Sequence, residues 1–112
     1  KTARKISMQI NNAFKGLQAE QAKEVVVAYE PLWAIGSGQA ATAKDAQEVC
    51  HLIREKLTTM FGEKISRQVR ILYGGSVNEN NAVAFKISGI DGVLVGGASL
   101  NAKAFSAIVR SF

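Results

Sequence analysis

Three short apolar runs constrain this chain more than any other feature. Val25-Val26-Val27-Ala28-Tyr29, Val69-Arg70-Ile71-Leu72-Tyr73 and Gly92-Val93-Leu94-Val95 are rich in β-branched residues, and each is followed by a turn and then by helical periodicity. The first run is apolar throughout, the pattern expected of a strand buried on both faces of a parallel sheet. Strands that alternate with helices pair in parallel through crossover connections, so the C-terminal ends of all three share one edge. The fold class expected is therefore α/β.

The intervening segments support the alternation. Ile6, Ile10, Phe14 and Leu17 recur at helical spacing, and a polar link follows them. Pro31 ends the first strand, since it offers no N–H to a ladder and disfavours helical angles at Glu30. From there to Ala41 the sequence has no period and contains Gly36 and Gly38, which predicts a long loop. Thr42 with Asp45 reads as a helix start, Ala46, Val49, Cys50, Ile53, Leu57 and Met60 as one helical stripe, and Gly62 as its stop. A helix is expected over 80–87, closed by Ser88-Gly89, and a last one with Phe105, Ile108, Val109 and Phe112 buried. Nothing divides these units, so residues 1–112 read as one domain.

Composition narrows the function classes. A net charge of +5 favours an acidic partner, but Lys and Arg are spread along the helices, with only Lys1, Arg4 and Lys5 clustered. No aromatic residues interleave with them as a stacking platform would require, which argues against nucleic acid. No apolar run approaches the roughly 18 residues that span a bilayer, and no signal-peptide pattern opens the chain. No membrane partner and a cytoplasmic location are expected. Cys50 is the one cysteine and His51 the one histidine. Adjacent on a helix they diverge by about 100°, so Cys50 reads as a core residue and no metal site is expected.

The functional signal lies on the shared strand edge. Glu30, then Gly74-Gly75-Ser76, then Gly96-Gly97 each follow a strand, where α/β sheets and barrels bind ligands. Any one of these is commonly a plain turn or a solvated charge; three on one edge carry more weight. A carboxylate beneath a glycine-containing loop suits proton abstraction beside a carbonyl, because shielding from water raises its basicity. Backbone amides at glycines suit an anion. Together they suggest a small phosphorylated carbonyl compound.

Val26-Val27-Ala28-Tyr29-Glu30-Pro31-Leu32-Trp33-Ala34-Ile35-Gly36-Ser37-Gly38 resembles the catalytic-base strand and lid of the triosephosphate isomerase family. Ile71-Leu72-Tyr73-Gly74-Gly75-Ser76-Val77-Asn78 and Asp91-Gly92-Val93-Leu94-Val95-Gly96-Gly97-Ala98-Ser99-Leu100 are similar to its two later phosphate-loop motifs, in the same order. The resemblance implies a parallel (β/α)8 barrel, of which this chain supplies the last three βα units and a preceding helix. It implies that Glu30 shuttles a proton between adjacent carbons of dihydroxyacetone phosphate and glyceraldehyde 3-phosphate. Gly36, Ser76, Gly96 and Gly97 would bind the phosphate through backbone N–H groups. Pro31, Leu32, Trp33 and Gly38 would belong to the lid, Tyr73 would hold it closed near Ala41, and Ile35 with Leu94 would clamp over Glu30. No cofactor is implied. Ser37 and Gln39 depart from the Thr and Lys common in the family's lid.

The resemblance also implies what these residues lack. The family's substrate-binding Asn and Lys follow its first strand and its electrophilic His the fourth, and His51, inside a helix, does not replace that His. A whole barrel takes about 250 residues. The chain therefore reads as a fragment, starting without Met in what looks like mid-loop and inactive alone. A complementary N-terminal chain is a candidate partner, and a homodimer is expected of the whole enzyme. Two alternatives stand beside this: a non-catalytic phosphate-binding or self-assembling half-barrel, and another phosphate-binding barrel enzyme, against which Glu30-Pro31-Leu32-Trp33 argues.

Overall fold

The computed structural model describes residues 2–31 and 42–112. In chain order it contains α1 (Thr2–Phe14), α2 (Ala19–Ala22), β1 (Val26–Tyr29), α3 (Ala43–Phe61), α4 (Glu63–Gln68), β2 (Arg70–Gly75), β3 (Gly92–Val95) and α5 (Ala102–Ser111). Short 3-10 turns, Ala82–Phe85 and Gly97–Leu100, follow β2 and β3. The strands lie in the order β1-β2-β3, both pairs parallel, with Val26 opposite Arg70 and Leu72 opposite Gly92. This is a sector of the sheet from which a parallel α/β barrel is built.

Register and the two-residue alternation of side chains sort the sheet into two faces. Val27, Tyr29, Ile71, Tyr73, Val93 and Val95 face the helices and belong to the core or pack on it. Val26, Ala28, Leu72 and Leu94 face the other way, where no described helix covers them; Val26 is 49% exposed and Leu94 44%, and Leu72 is half-buried. The expectation that the first strand is buried on both faces is thus corrected. An apolar run records that both faces suit burial, not that both are covered within these 112 residues.

The core lies between the helices and the covered face. Ile6, Ile10 and Phe14 of α1 meet Val49, Cys50, Ile53 and Leu57 of α3, and the Phe14 and Phe61 rings lie 5.8 Å apart. Burying each large aliphatic side chain contributes roughly 1.5 to 3 kcal/mol. Thr42 caps α3, its Oγ1 accepting from the Asp45 N–H at 3.1 Å. At the other end the Gly62 N–H donates to Thr58 O at 2.8 Å with φ of 89°, a conformation that L side chains resist.

Three further expectations change. The polar link after α1 holds the single turn α2, and α4 follows Gly62 directly. The helix expected over 80–87 is only the 3-10 turn Ala82–Phe85. In α5 the buried residues are Ala104 and Ile108, while Phe105, Val109 and Phe112 are exposed. The larger side chains there form a second apolar stripe left exposed among the described residues, and the small Ala104 takes the inner position.

Candidate active site

β1 ends at Tyr29, so the alternation that points Val26 and Ala28 to the bare face continues to Glu30. Its side chain lies across Gly74 on β2: a Cβ built on Gly74 would stand 2.5 Å from Glu30 Cγ and 3.1 Å from its Cδ. Glycine is what lets the Glu30 side chain lie in this position. Glu30, Gly75, Ser76, Leu94, Gly96 and Gly97 line one cleft of about 550 Å³, with Val77, Asn78, Val95 and Ala98. Parallel strands have brought the carboxylate and both glycine turns to one edge.

The two turns are fastened differently. After β2, the Val77 N–H donates to Gly75 O at 2.9 Å, and Asn81 Nδ2 donates to Ser76 O at 2.9 Å. After β3, the Ser99 N–H and hydroxyl both donate to Gly96 O, at 2.9 and 2.6 Å. A Cβ on Gly96 or Gly97 would meet nothing within 4 Å, and neither has a positive φ. Their lack of a side chain is not demanded by packing among the described residues. It leaves the α-carbons open to whatever occupies the cleft.

Of the other expected site residues, Leu94 stands on the same face as Glu30. Pro31 is buried and borders, with Glu30, a second cleft of about 610 Å³ between α1 and β1. Tyr73 lies on the opposite face, fully buried and stacked on Phe85 with centroids 4.3 Å apart; a Cβ on Gly75 would stand within 3 Å of its phenol oxygen. Leu32, Trp33, Ile35, Gly36, Gly38 and Ala41, together with Ser37 and Gln39, lie outside the described residues.

Sequence reasoning missed Gly74 as the surface beneath Glu30, and missed Asn78 and Asn81. The signal for the last two was a pair of Asn at i and i+3 directly after a strand turn, a spacing that favours reciprocal side chain to backbone bonds. Cys50 is fully buried, and burial pushes its thiol up to about 11, with Asp91 adding and Arg54 opposing. That holds it as a neutral core thiol and not a nucleophile at neutral pH. His51 is exposed on α3, its ring against Gly89 and away from the cleft. Among the described residues no cluster of His, Cys, Asp or Glu could hold a metal, and no helix is long and apolar enough to cross a membrane.

Comparison with known proteins bears on the same residues. The sequence model of the family described as Triosephosphate isomerase matches residues 1–112. A protein named triosephosphate isomerase from Acetivibrio thermocellus is 49% identical over 110 residues, covering 97% of this chain and 44% of the relative. Those of Saccharopolyspora erythraea and Carboxydothermus hydrogenoformans are 54% identical over 99 residues and 51% over 106. They are covered over 38% and 42% of their length, by 88% and 94% of this chain. The chain thus spans about two fifths of the curated relatives it matches.

Proposed function

The chain belongs to the triosephosphate isomerase family, and from that premise we propose that the whole protein interconverts dihydroxyacetone phosphate and D-glyceraldehyde 3-phosphate, with Glu30 as the proton carrier. One observation carries the reading: Glu30 lines the same cleft as Ser76, Gly96 and Gly97. Its carboxylate takes a proton from the carbon beside the substrate carbonyl and returns it to the neighbouring carbon. The C–H bond broken on one carbon is replaced by one formed on the other, and the hydroxyl proton passes from the first carbon's oxygen to the former carbonyl oxygen, through an enediolate, with no net oxidation.

The backbone N–H groups of Ser76, Gly96 and Gly97 grip the phosphate and fix the distance from anion to reacting carbons, which is the positional gain such a site supplies. Gly36, with Leu32, Trp33, Ile35, Gly38 and Ala41, completes the site as a lid. No cofactor or metal takes part in this chemistry.

The same reading makes the protein a homodimeric, cytoplasmic enzyme of glycolysis and gluconeogenesis. By itself the 112-residue chain is an anion-binding half-barrel without turnover, because the electrophilic His and the Lys that the resemblance calls for are not among its strand-end residues. The bare sheet face through Val26, Leu72 and Leu94 favours that second state and a complementary N-terminal chain as the partner that covers it.

The test joins this chain to the N-terminal portion of the Acetivibrio thermocellus relative and follows interconversion of the two triose phosphates. Turnover that Glu30→Gln abolishes, with none from the chain alone, is the expected result. A folded fusion that is inactive, or one whose rate ignores Glu30→Gln, overturns the reading.

A further inference from the structure

The turn after β2 is built around a side chain that does not itself line the cleft. Asn81 Oδ1 accepts from the Asn78 N–H at 2.8 Å while its Nδ2 donates to Ser76 O at 2.9 Å. Asn78 Oδ1 in turn accepts from the N–H groups of Asn80 and Asn81, at 2.8 and 2.9 Å. Asn81 is half-buried and is anchored from behind, since Ala82 and Phe85 that follow it are buried and Phe85 stacks on Tyr73 of β2.

We propose that Asn81 is a positioning residue for the anion site, fixing the backbone of Ser76 so that its N–H is already oriented when a phosphoryl group arrives. This rests on the reading that the loops after β2 and β3 hold that group. The argument follows from peptide planarity. In a trans peptide the C=O and the next N–H point in opposite directions. Holding Gly75 O on the Val77 N–H therefore sets the Ser76 N–H direction, and holding Ser76 O on Asn81 sets the next plane.

Gly75 has no Cβ to restrict it, so without the second hold the Gly75-Ser76 unit samples more orientations. The cost of ordering it would then fall on ligand binding. The turn after β3 needs no such remote support, because Ser99 already fastens Gly96 O from three residues away.

The experiment titrates the full chain with inorganic phosphate at fixed pH and reads amide NMR shifts. Wild type should respond at Ser76, Gly96 and Gly97. Asn81→Ala, which removes a hydrogen bond on each side, should bind roughly fivefold to tenfold more weakly. Its Ser76 response should shrink relative to those of Gly96 and Gly97, a pattern that general loss of stability does not produce. Asn81→Asp keeps the acceptor for Asn78 and loses the donor to Ser76, so it serves if Asn81→Ala fails to fold; Asn80→Asp supplies the same charge one residue away and should bind more tightly than Asn81→Asp. Wild-type binding with unchanged affinity and an unchanged Ser76 response in the Asn81 variants overturns this inference and leaves the anion site standing. Absence of wild-type shifts at Ser76, Gly96 and Gly97 overturns both.

Discussion

Asp91 and Arg54 meet at 2.9 Å, joining the residue just before β3 to the middle of α3. The same Asp91 oxygen accepts the Ile71 N–H at 2.8 Å, and the Asp91 N–H returns to Ile71 O at 2.8 Å. Arg54 also donates to the carbonyls of Ser66 and Val69, and Ser66 Oγ donates to Arg54 O at 3.0 Å. One guanidinium therefore ties α3, the end of α4, the approach to β2 and the approach to β3.

Unequal exposure makes the partners unequal under mutation. Arg54 is 23% exposed and Asp91 42%. Arg54→Met strands two carbonyls and a carboxylate, and should cost about 2 to 4 kcal/mol. Asp91→Asn keeps an acceptor for Ile71 and is wetter, so about 1 kcal/mol is expected. Urea unfolding midpoints of the two variants give the comparison; equal losses would contradict it.

Gly74→Ala should strike chemistry more than folding. The new Cβ would stand 2.5 Å from Glu30 Cγ, and the exposed Glu30 side chain can turn away from it. Moving a reacting group by about 1 Å can cost roughly 100-fold in rate. In the fused barrel, kcat should fall by about that factor with a smaller change in KM. An unaltered kcat would mean that the carboxylate does not work from over Gly74.

Much of this geometry was legible in the residues. β-Branched runs ending at Pro31 or at glycine gave strand ends that put Glu30, Ser76, Gly96 and Gly97 together. The bare face was not legible, because Val26 and Leu94 have the same composition whether or not another strand covers them. The Asn78 and Asn81 side chains take backbone groups that a helix over 80–87 would need, the N–H groups of Asn80 and Asn81 among them, and the short 3-10 turn results. In α5 two stripes share the helix, and the sequence weighs Phe105 and Val109 above the Ala104 that is buried.

Cys50 predicts a pH dependence of stability. Its thiol titrates near 8.5 in an unfolded chain, and burial pushes it up to about 11 in the fold. The folded state thus favours the protonated form, so stability is level below the unfolded value and declines as pH climbs from there toward about 11. Tyr29, also raised by burial, adds to the decline at the high end. Subtracting the urea profile of Cys50→Ala from that of wild type isolates the thiol, and a flat difference over this window would contradict its burial as the cause.

Gly97→Ala separates what the fold requires from what the ligand requires. Among the described residues a Cβ there meets no atom within 4 Å, and the backbone is not in the left-handed region, so none of them resists alanine. Gly97 begins a short 3-10 turn, where alanine also costs the unfolded chain some freedom. Stability should be unchanged or higher by up to about 1 kcal/mol. Anion binding should respond in the opposite direction. A methyl group at the open α-carbon occupies the approach to the N–H groups of Gly96 and Gly97, and an anion held farther out loses charge-assisted hydrogen bonds worth about 1.5 to 3 kcal/mol each. Thermal unfolding and a phosphate titration on one sample of Gly97→Ala read both effects. Preserved stability with weakened binding identifies Gly97 as a residue kept for its ligand; preserved stability with unchanged binding removes it from the phosphate site.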